Sequence, residues 1–210
     1  TVWASGGSVS GIPANPYPAE VINMSLGGSG ACGSTYQDAI NSAIGRGTTV
    51  VVAAGNGNID ATNARPANCN NVVAVAAVDR NGARSVWNAS QQSNYGSAVD
   101  VAAPGSDILS TLNTGTTTPG NESYASYNGT SMATPHVAGV VALIQAAAAT
   151  PKSPADIETI LKSTASPFPA TPDRAIGSGI VNAKAAVDAV AQTTPNLYAI
   201  SRLGGSATTK

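Results

Sequence analysis

Residues 129–139 place a hydroxyl side chain between a glycine and a long apolar run. The segment reads Gly129-Thr130-Ser131-Met132-Ala133-Thr134-Pro135-His136-Val137-Ala138-Gly139. The first N–H groups of a helix have no partner within it and lie at the positive end of its dipole. An oxyanion that forms beside Ser131 would therefore meet a hydrogen-bond donor, which makes Ser131 a candidate nucleophile. The commoner alternative for such a residue is that Ser131 or Thr130 only caps the helix.

His136 is the only histidine of the chain and so the only candidate imidazole base. Five helical residues after Ser131, it would lie roughly 140° round the helix and about 7.5 Å along it. A nucleophile and its base need contact at about 2.6–3.2 Å. We therefore predict that His136 is a buried, hydrogen-bonded structural histidine. Because no histidine follows it, the order Ser, acid, His of the α/β-hydrolases is excluded, and with it a serine esterase of that fold.

The elements that must position Ser131 are those of an α/β fold. Four short runs are mainly apolar and continuous rather than regularly alternating, which predicts parallel strands buried on both faces; they are 21–24, 49–54, 72–78 and 99–102. A stripe formed by Ala39, Ile40, Ala43 and Ile44 predicts a helix between the first two runs, hence a βαβ unit. Further helices are predicted after Ser153 and from Ala183 to Ala191, with Asn182 as cap.

Composition excludes several classes of function. The chain has 210 residues, enough for one domain, with 10 Lys and Arg against 11 Asp and Glu. It thus lacks the basic face that a nucleic-acid partner needs. The apolar run Val137–Ala149 is shorter than the roughly 20 residues of a membrane span, so no membrane partner is expected. Low charge, polar loops and an even number of cysteines favour a secreted, extracellular protein.

As a string, residues 129–139 resemble the nucleophile motif of the subtilases, the subtilisin-like serine proteases. Other stretches resemble the same family in the same order: Ser25–Gly28, Ala53–Asn56, Val99–Gly105, Tyr127–Gly129 and Gly177–Ala183. The resemblance covers roughly residues 20–191. It implies a three-layer fold with a mostly parallel sheet over residues 1–192. Residues 193–210 are expected to form a linker or tail.

The resemblance assigns catalytic roles to two residues. Ser131 matches the nucleophile, and Asn56 matches the side-chain donor of the oxyanion hole, with the Ser131 N–H as second donor. A carboxamide N–H can hydrogen-bond a developing oxyanion without adding a net charge. Without the resemblance, Gly55-Asn56 would be an ordinary turn after a strand.

Substrate-binding roles follow in the same way. Ser25, Leu26 and Gly27 match the strand that pairs with an extended polypeptide through backbone hydrogen bonds. By itself this stretch would be a loop at a strand end. One wall of the pocket for the side chain before the scissile bond matches Ala53, Ala54 and Gly55. Small residues there predict an open, apolar slot.

The chain departs from the family pattern at its start. Neither of the N-terminal signatures that carry the catalytic Asp and His is present. We therefore expect the N-terminal strands and helices to be missing and to lie on a preceding portion, which acts as the partner of this one. Without a base, the Ser131 hydroxyl is a weak nucleophile, so the chain alone is expected to be inactive. The alternative is a catalytically inert, subtilase-like module that binds peptides.

The sequence also predicts a disulfide and a candidate cation site. Cys32 and Cys69 are too far apart for a zinc motif, and we favour a disulfide over two free thiols. The resemblance requires no cofactor but allows a weak calcium site, built from the carbonyls of Ala67, Cys69 and Val72 near Asp100. Sodium or water would suit a site with one carboxylate equally well.

Overall fold

The structure, a computed structural model, describes residues 1–191, so the expected tail at 193–210 lies outside the described residues. Eight strands and four helices follow one another along this part of the chain. The strands are β1 Val21–Met24, β2 Gly28–Ser29, β3 Thr49–Ala53, β4 Ala64–Arg65, β5 Val73–Val78, β6 Val101–Pro104, β7 Ile108–Asn113 and β8 Glu122–Tyr127. The helices are α1 Ser34–Ile44, α2 Thr130–Ala147, α3 Pro154–Thr164 and α4 Ala183–Asp188.

The centre of the fold is a parallel four-stranded sheet in the order β1-β3-β5-β6. The parallel pairing of β1 with β3, joined through α1, confirms the predicted βαβ unit. The fourth predicted run begins two residues late, since β6 spans Val101–Pro104. Its outer edge is covered, because the Ala102 N–H donates to the Gly179 carbonyl at 2.9 Å and the Val181 N–H donates to the Ala102 carbonyl at 2.8 Å.

Helices cover both faces of the sheet, which makes three layers. The two-residue period of β3 shows why: Val51 packs into the cluster that holds α2 and α3, whereas Val50 and Val52 pack into the cluster that holds α1. All five residues of β3 are buried, as a strand between two helical layers requires. The predicted α/β class and layering are confirmed.

The predicted helices are present, but some of their ends differ from the predicted ones. Ile40 and Ala43 are buried on α1, and Ile157 and Leu161 on α3. Ser153 caps α3 in a capping box with Asp156. Asn182 caps α4 by accepting from the Ala185 N–H, but the helix ends at Asp188 rather than Ala191.

The sequence pattern missed the antiparallel hairpin β7–β8 and the short pair β2–β4. The hairpin is mostly exposed and has no apolar run, so it lacks the signal that marks a buried strand. No helix within residues 1–191 has the length and apolar character needed to cross a bilayer.

Candidate active site

Helix α2 holds Ser131 in its first turn. Gly129 is the N-cap, with φ 149° and ψ 160°, and no side chain caps the helix. Neither Thr130 nor Ser131 caps it, so the capping alternative is wrong. Their side chains are left free for contacts outside the helix.

Pro135 leaves the Ser131 carbonyl without its usual hydrogen-bond donor in the helix. Proline has no N–H, so the usual bond from residue 135 back to residue 131 is missing. The Ser25 hydroxyl supplies the donor instead, at 2.8 Å from the Ser131 carbonyl oxygen. The Ser131 hydroxyl in turn lies 3.3 Å from the Ser25 carbonyl oxygen. Two reciprocal contacts thus tie the start of α2 to the segment that follows β1.

Thr130 orients the carboxamide of Asn56. The Oδ1 atom of Asn56 accepts from the Thr130 N–H at 2.9 Å and from the Thr130 hydroxyl at 2.8 Å. A backbone N–H only donates, so the atom facing it must be the amide oxygen. The Thr130 hydroxyl also accepts from the Gly55 N–H at 3.1 Å. The Nδ2 group of Asn56 is therefore directed away from Thr130.

The surroundings of Gly129 show where the Asn56 amide lies relative to Ser131. A Cβ at residue 129 would be 3.3 Å from Nδ2 of Asn56 and 3.6 Å from the backbone nitrogen of Ser131. The two nitrogens thus border one small space, which a side chain at residue 129 would crowd. The positive φ of this residue independently favours glycine.

A cavity of about 470 Å³ joins the predicted site residues. Its lining includes Asn56, Ser131, Leu26, Gly27, Ala53, Ala54 and Gly55. Ser25 is not part of the lining but holds Ser131 from behind. Residues from three distant stretches of the sequence therefore meet in one pocket.

Several lining residues carried no sequence signal: Ser29, Ile59, Ala64, Arg65 and Asn94. The pair β2–β4 supplies three of them, and its pairing is visible only in the fold. The expected apolar slot thus also has polar lining residues. Gly27 has a role within the chain itself, because a Cβ there would lie 2.8 Å from the Arg65 carbonyl oxygen.

His136 is exposed, so its predicted burial is wrong. Its Nδ1 atom lies 2.8 Å from the Met132 carbonyl oxygen, so the predicted hydrogen bond is present. The residue lines a second cavity with Tyr127 and Met132, separate from the Ser131 cavity. The helical spacing correctly keeps it from Ser131. Burial depended on what packs over that face, which helical periodicity does not specify.

Cys32 and Cys69 form a disulfide, with their Cα atoms 5.1 Å apart. Cys32 follows β2 and Cys69 follows β4. The bond therefore fastens the paired strands that form one wall of the cavity.

Asp100, the one carboxylate among the proposed calcium ligands, has both oxygens engaged within the protein. Asp100 Oδ2 accepts from the Ala74 N–H at 2.8 Å, and Oδ1 accepts from the Lys162 ammonium at 3.1 Å. Burial raises the pKa of the Asp100 carboxyl, against the lowering effect of these hydrogen bonds. Within residues 1–191, no three His, Cys, Asp or Glu side chains are grouped to hold a metal ion.

Comparison with known proteins places the chain in a family. The subtilase family model matches residues 4–179. The chain belongs to the subtilase family of serine proteases.

Two curated relatives are extracellular proteases by name. The chain is 63% identical over 188 residues to the extracellular protease of Xanthomonas campestris pv. campestris, covering 90% of this chain and 32% of that protein. It is 46% identical over 191 residues to the extracellular basic protease of Dichelobacter nodosus, covering 90% and 31%. The chain thus spans about a third of the length of these relatives.

A solved protease structure from Pseudoalteromonas arctica matches with a TM-score of 0.84 at 56% identity. The match covers 90% of this chain and 57% of that one.

Proposed function

We propose that the chain is the part of a secreted serine endopeptidase that carries the nucleophile and the oxyanion hole. The observation that carries this proposal is the common space bordered by Asn56 Nδ2 and the Ser131 N–H, beside the Ser131 side chain. Preorganised donors aimed at a developing oxyanion are what acyl transfer requires. The names of the relatives support secretion and protease activity.

The substrate is an extended polypeptide. Leu26 and Gly27 lie between β1 and β2, and none of the backbone hydrogen bonds found in residues 1–191 uses their N–H or carbonyl groups. These groups can pair with a peptide as an added strand. The side chain before the scissile bond then enters the cavity between this segment and Ala53–Gly55.

The reaction is acyl transfer followed by hydrolysis. The Ser131 oxygen attacks the carbonyl carbon while a base takes the hydroxyl proton. The new oxyanion accepts from Asn56 Nδ2 and the Ser131 N–H. Collapse expels the amine with a proton, and water then attacks the acyl-enzyme to release the acid and regenerate Ser131.

The base and its Asp are expected on an N-terminal portion that docks against this chain. Among the described residues, β1 pairs only with β3, so one edge of the sheet is open. Large apolar side chains are also exposed on the hairpin and α2: Leu109, Tyr124, Tyr127 and Leu143. An open edge and exposed apolar residues are what a packed neighbour would cover.

The docking proposal is tested by unfolding the chain alone in urea. We expect a broad transition or association, and a sharper one when the N-terminal portion is added. A cooperative two-state transition of the isolated monomer would contradict the need for a partner.

A fluorophosphonate probe tests the proposed activity. In the complete protein, by which we mean this chain joined to the N-terminal portion, we expect covalent labelling on Ser131 and hydrolysis of peptides. Ser131→Ala should abolish the labelling. The isolated chain should react far more slowly, because oxyanion hole and binding alone give about 10³–10⁴ over water. If the complete protein binds peptides but is not labelled, the inert module is the correct interpretation.

A further inference from the structure

The Asn94 side chain is hydrogen-bonded to the loop that carries Asn56. Its side chain accepts from the Gly57 N–H at 3.0 Å and from the Ile59 N–H at 3.1 Å. It donates to the Ala54 carbonyl at 2.7 Å. Asn94 is 2% exposed, so these bonds form in a dry environment. One carboxamide therefore bridges the backbone on both sides of Asn56.

The backbone of the same segment adds further bonds to the loop. The Asn94 N–H donates to the Gly55 carbonyl at 2.8 Å, and the Gln92 N–H donates to the Asn56 carbonyl at 3.1 Å. A Cβ at Gly55, where φ is +103°, would collide with Nδ2 of Asn94. The loop and the segment 92–94 are thus fitted to each other.

Segment 92–94 is itself anchored to the core. The Ser93 carbonyl accepts from Nη1 of Arg84 at 2.7 Å, and the Ser93 hydroxyl accepts from the Ala77 N–H of β5 at 2.9 Å. Asp173 holds the Arg84 guanidinium through two further bonds at 2.8 and 2.7 Å. Asn94 therefore presents its side chain from a fixed support.

Asn56 needs such restraint because glycine follows it. In an Asn-Gly pair, the glycine nitrogen can attack Cγ of the asparagine. A new N–Cγ bond forms, the Cγ–Nδ2 bond breaks, and ammonia leaves with the proton of the glycine N–H. Water then opens the resulting succinimide to aspartate or isoaspartate. At residue 56, this would replace the amide donor by a carboxylate beside Ser131.

The geometry holds both reacting groups. Gly57 N–H is bound to Asn94 Oδ1, and the carboxamide of Asn56 is held through its oxygen by Thr130. We propose that Asn94 is a positioning residue for Asn56, which keeps the amide directed at the Ser131 pocket and prevents Gly57 from attacking it. Its catalytic consequence rests on the proposed function, whereas its effect on deamidation does not.

Deamidation of the chain can be followed by mass spectrometry of its peptides. Asn94→Ala removes three hydrogen bonds to the loop and should speed deamidation at Asn56 by at least about tenfold, the change in open population expected from losing the bond to the Gly57 N–H alone. Asn94→Asp keeps an acceptor for the Gly57 N–H but loses the donor to the Ala54 carbonyl, so its rate should lie between those of Asn94→Ala and the unsubstituted chain.

Two other Asn-Gly pairs serve as internal references, Asn81-Gly82 and Asn128-Gly129. They should deamidate at unchanged rates in Asn94→Ala. Equal acceleration at all three pairs would show that the substitution merely unfolds the chain and would overturn the proposal. An unchanged rate at Asn56 would overturn it too.

Peptide hydrolysis by the complete protein provides the second measurement. Asn94→Ala should lower kcat by up to about 10²-fold, as a misplaced catalytic group does, with a smaller change in KM. In an Asn56→Ala background, the same substitution should change kcat little, because Asn94 acts through Asn56. Full additivity of the two effects would contradict this role. If the complete protein has no activity at all, the proposed function fails, and deamidation still decides the role of Asn94.

Discussion

The carboxamide oxygen of Asn56 accepts two hydrogen bonds from Thr130, one from its N–H at 2.9 Å and one from its hydroxyl at 2.8 Å. Thr130 immediately precedes Ser131, so the residue that orients the amide also begins the helix that carries the proposed nucleophile. The relative position of amide and nucleophile is therefore set over a single peptide unit.

Asn56→Ala should reduce kcat of the complete protein about 10²–10³-fold, the magnitude established for the corresponding donor in subtilisin. KM should change little, since the lost bond forms only to the oxyanion. Steady-state peptide hydrolysis measures both constants. Asn70→Ala is a matched control, because Asn70 is exposed and its side chain makes no hydrogen bond within the described chain. An equal loss in both variants would argue against the oxyanion role.

Loss of the disulfide should destabilise the chain. The bond joins residues separated by 37 positions. The chain-entropy model then gives about 4 kcal/mol for the double substitution Cys32→Ser and Cys69→Ser. Urea unfolding with and without reductant measures the difference. Thiols that react under non-reducing denaturation would show that the bond does not form in solution.

The same double substitution should raise KM more than it lowers kcat. The disulfide fastens β2 and β4, whose residues line the cavity but include neither Ser131 nor Asn56. Loosening this wall weakens substrate binding without moving Asn56 relative to Ser131. A fall in kcat with no change in KM would contradict the proposed effect on substrate binding.

Asp173 should contribute stability that is lost in acid. Hydrogen bonds from Arg84 lower the pKa of the Asp173 carboxyl, so the folded state favours its ionised form. The contribution is complete above the ordinary carboxyl pKa and disappears as the pH falls through the lowered value. Asp173→Asn should cost about 0.5–1 kcal/mol at neutral pH, a modest figure because the Asp173 side chain is 61% exposed and solvent screens the pair.

Urea unfolding over a pH series checks this prediction. The difference between Asp173→Asn and the unsubstituted protein should shrink as the pH falls. Asp188→Asn is the control, because Asp188 pairs with Lys184 on an exposed helix face. That exposed pair should contribute about 0–0.5 kcal/mol. A pH-independent deficit in Asp173→Asn would point to packing rather than to the ion pair.

Thr49→Val should stabilise the protein slightly. The Thr49 hydroxyl is buried and has no hydrogen-bond partner within residues 1–191. Removing an unpaired buried hydroxyl gains about 1 kcal/mol at constant shape. Thr134→Val is the matched opposite, since the Thr134 hydroxyl donates to the Thr130 carbonyl at 2.7 Å. Unfolding free energies that change in the same direction for both would refute the argument.

Local patterns were sufficient for the central sheet and for most helix starts. Runs of Val and Ala in β3 and β5 specify strands buried on both faces, because only a two-sided apolar environment suits such a run. Ser153 and Asn182 mark helix starts because a side-chain oxygen satisfies an N–H within three residues. These interactions are short-range, and the sequence by itself determined them.

Tertiary structure decided the composition of the pocket and the state of His136. Asn94 and Arg65 reach the cavity through pairings with segments far along the chain, which no local period encodes. His136 has the spacing that keeps it from Ser131, yet its exposure depends on what packs over that face of α2. Periodicity specifies which way a side chain points along its own element, whereas contacts between distant elements depend on the three-dimensional arrangement of the whole fold.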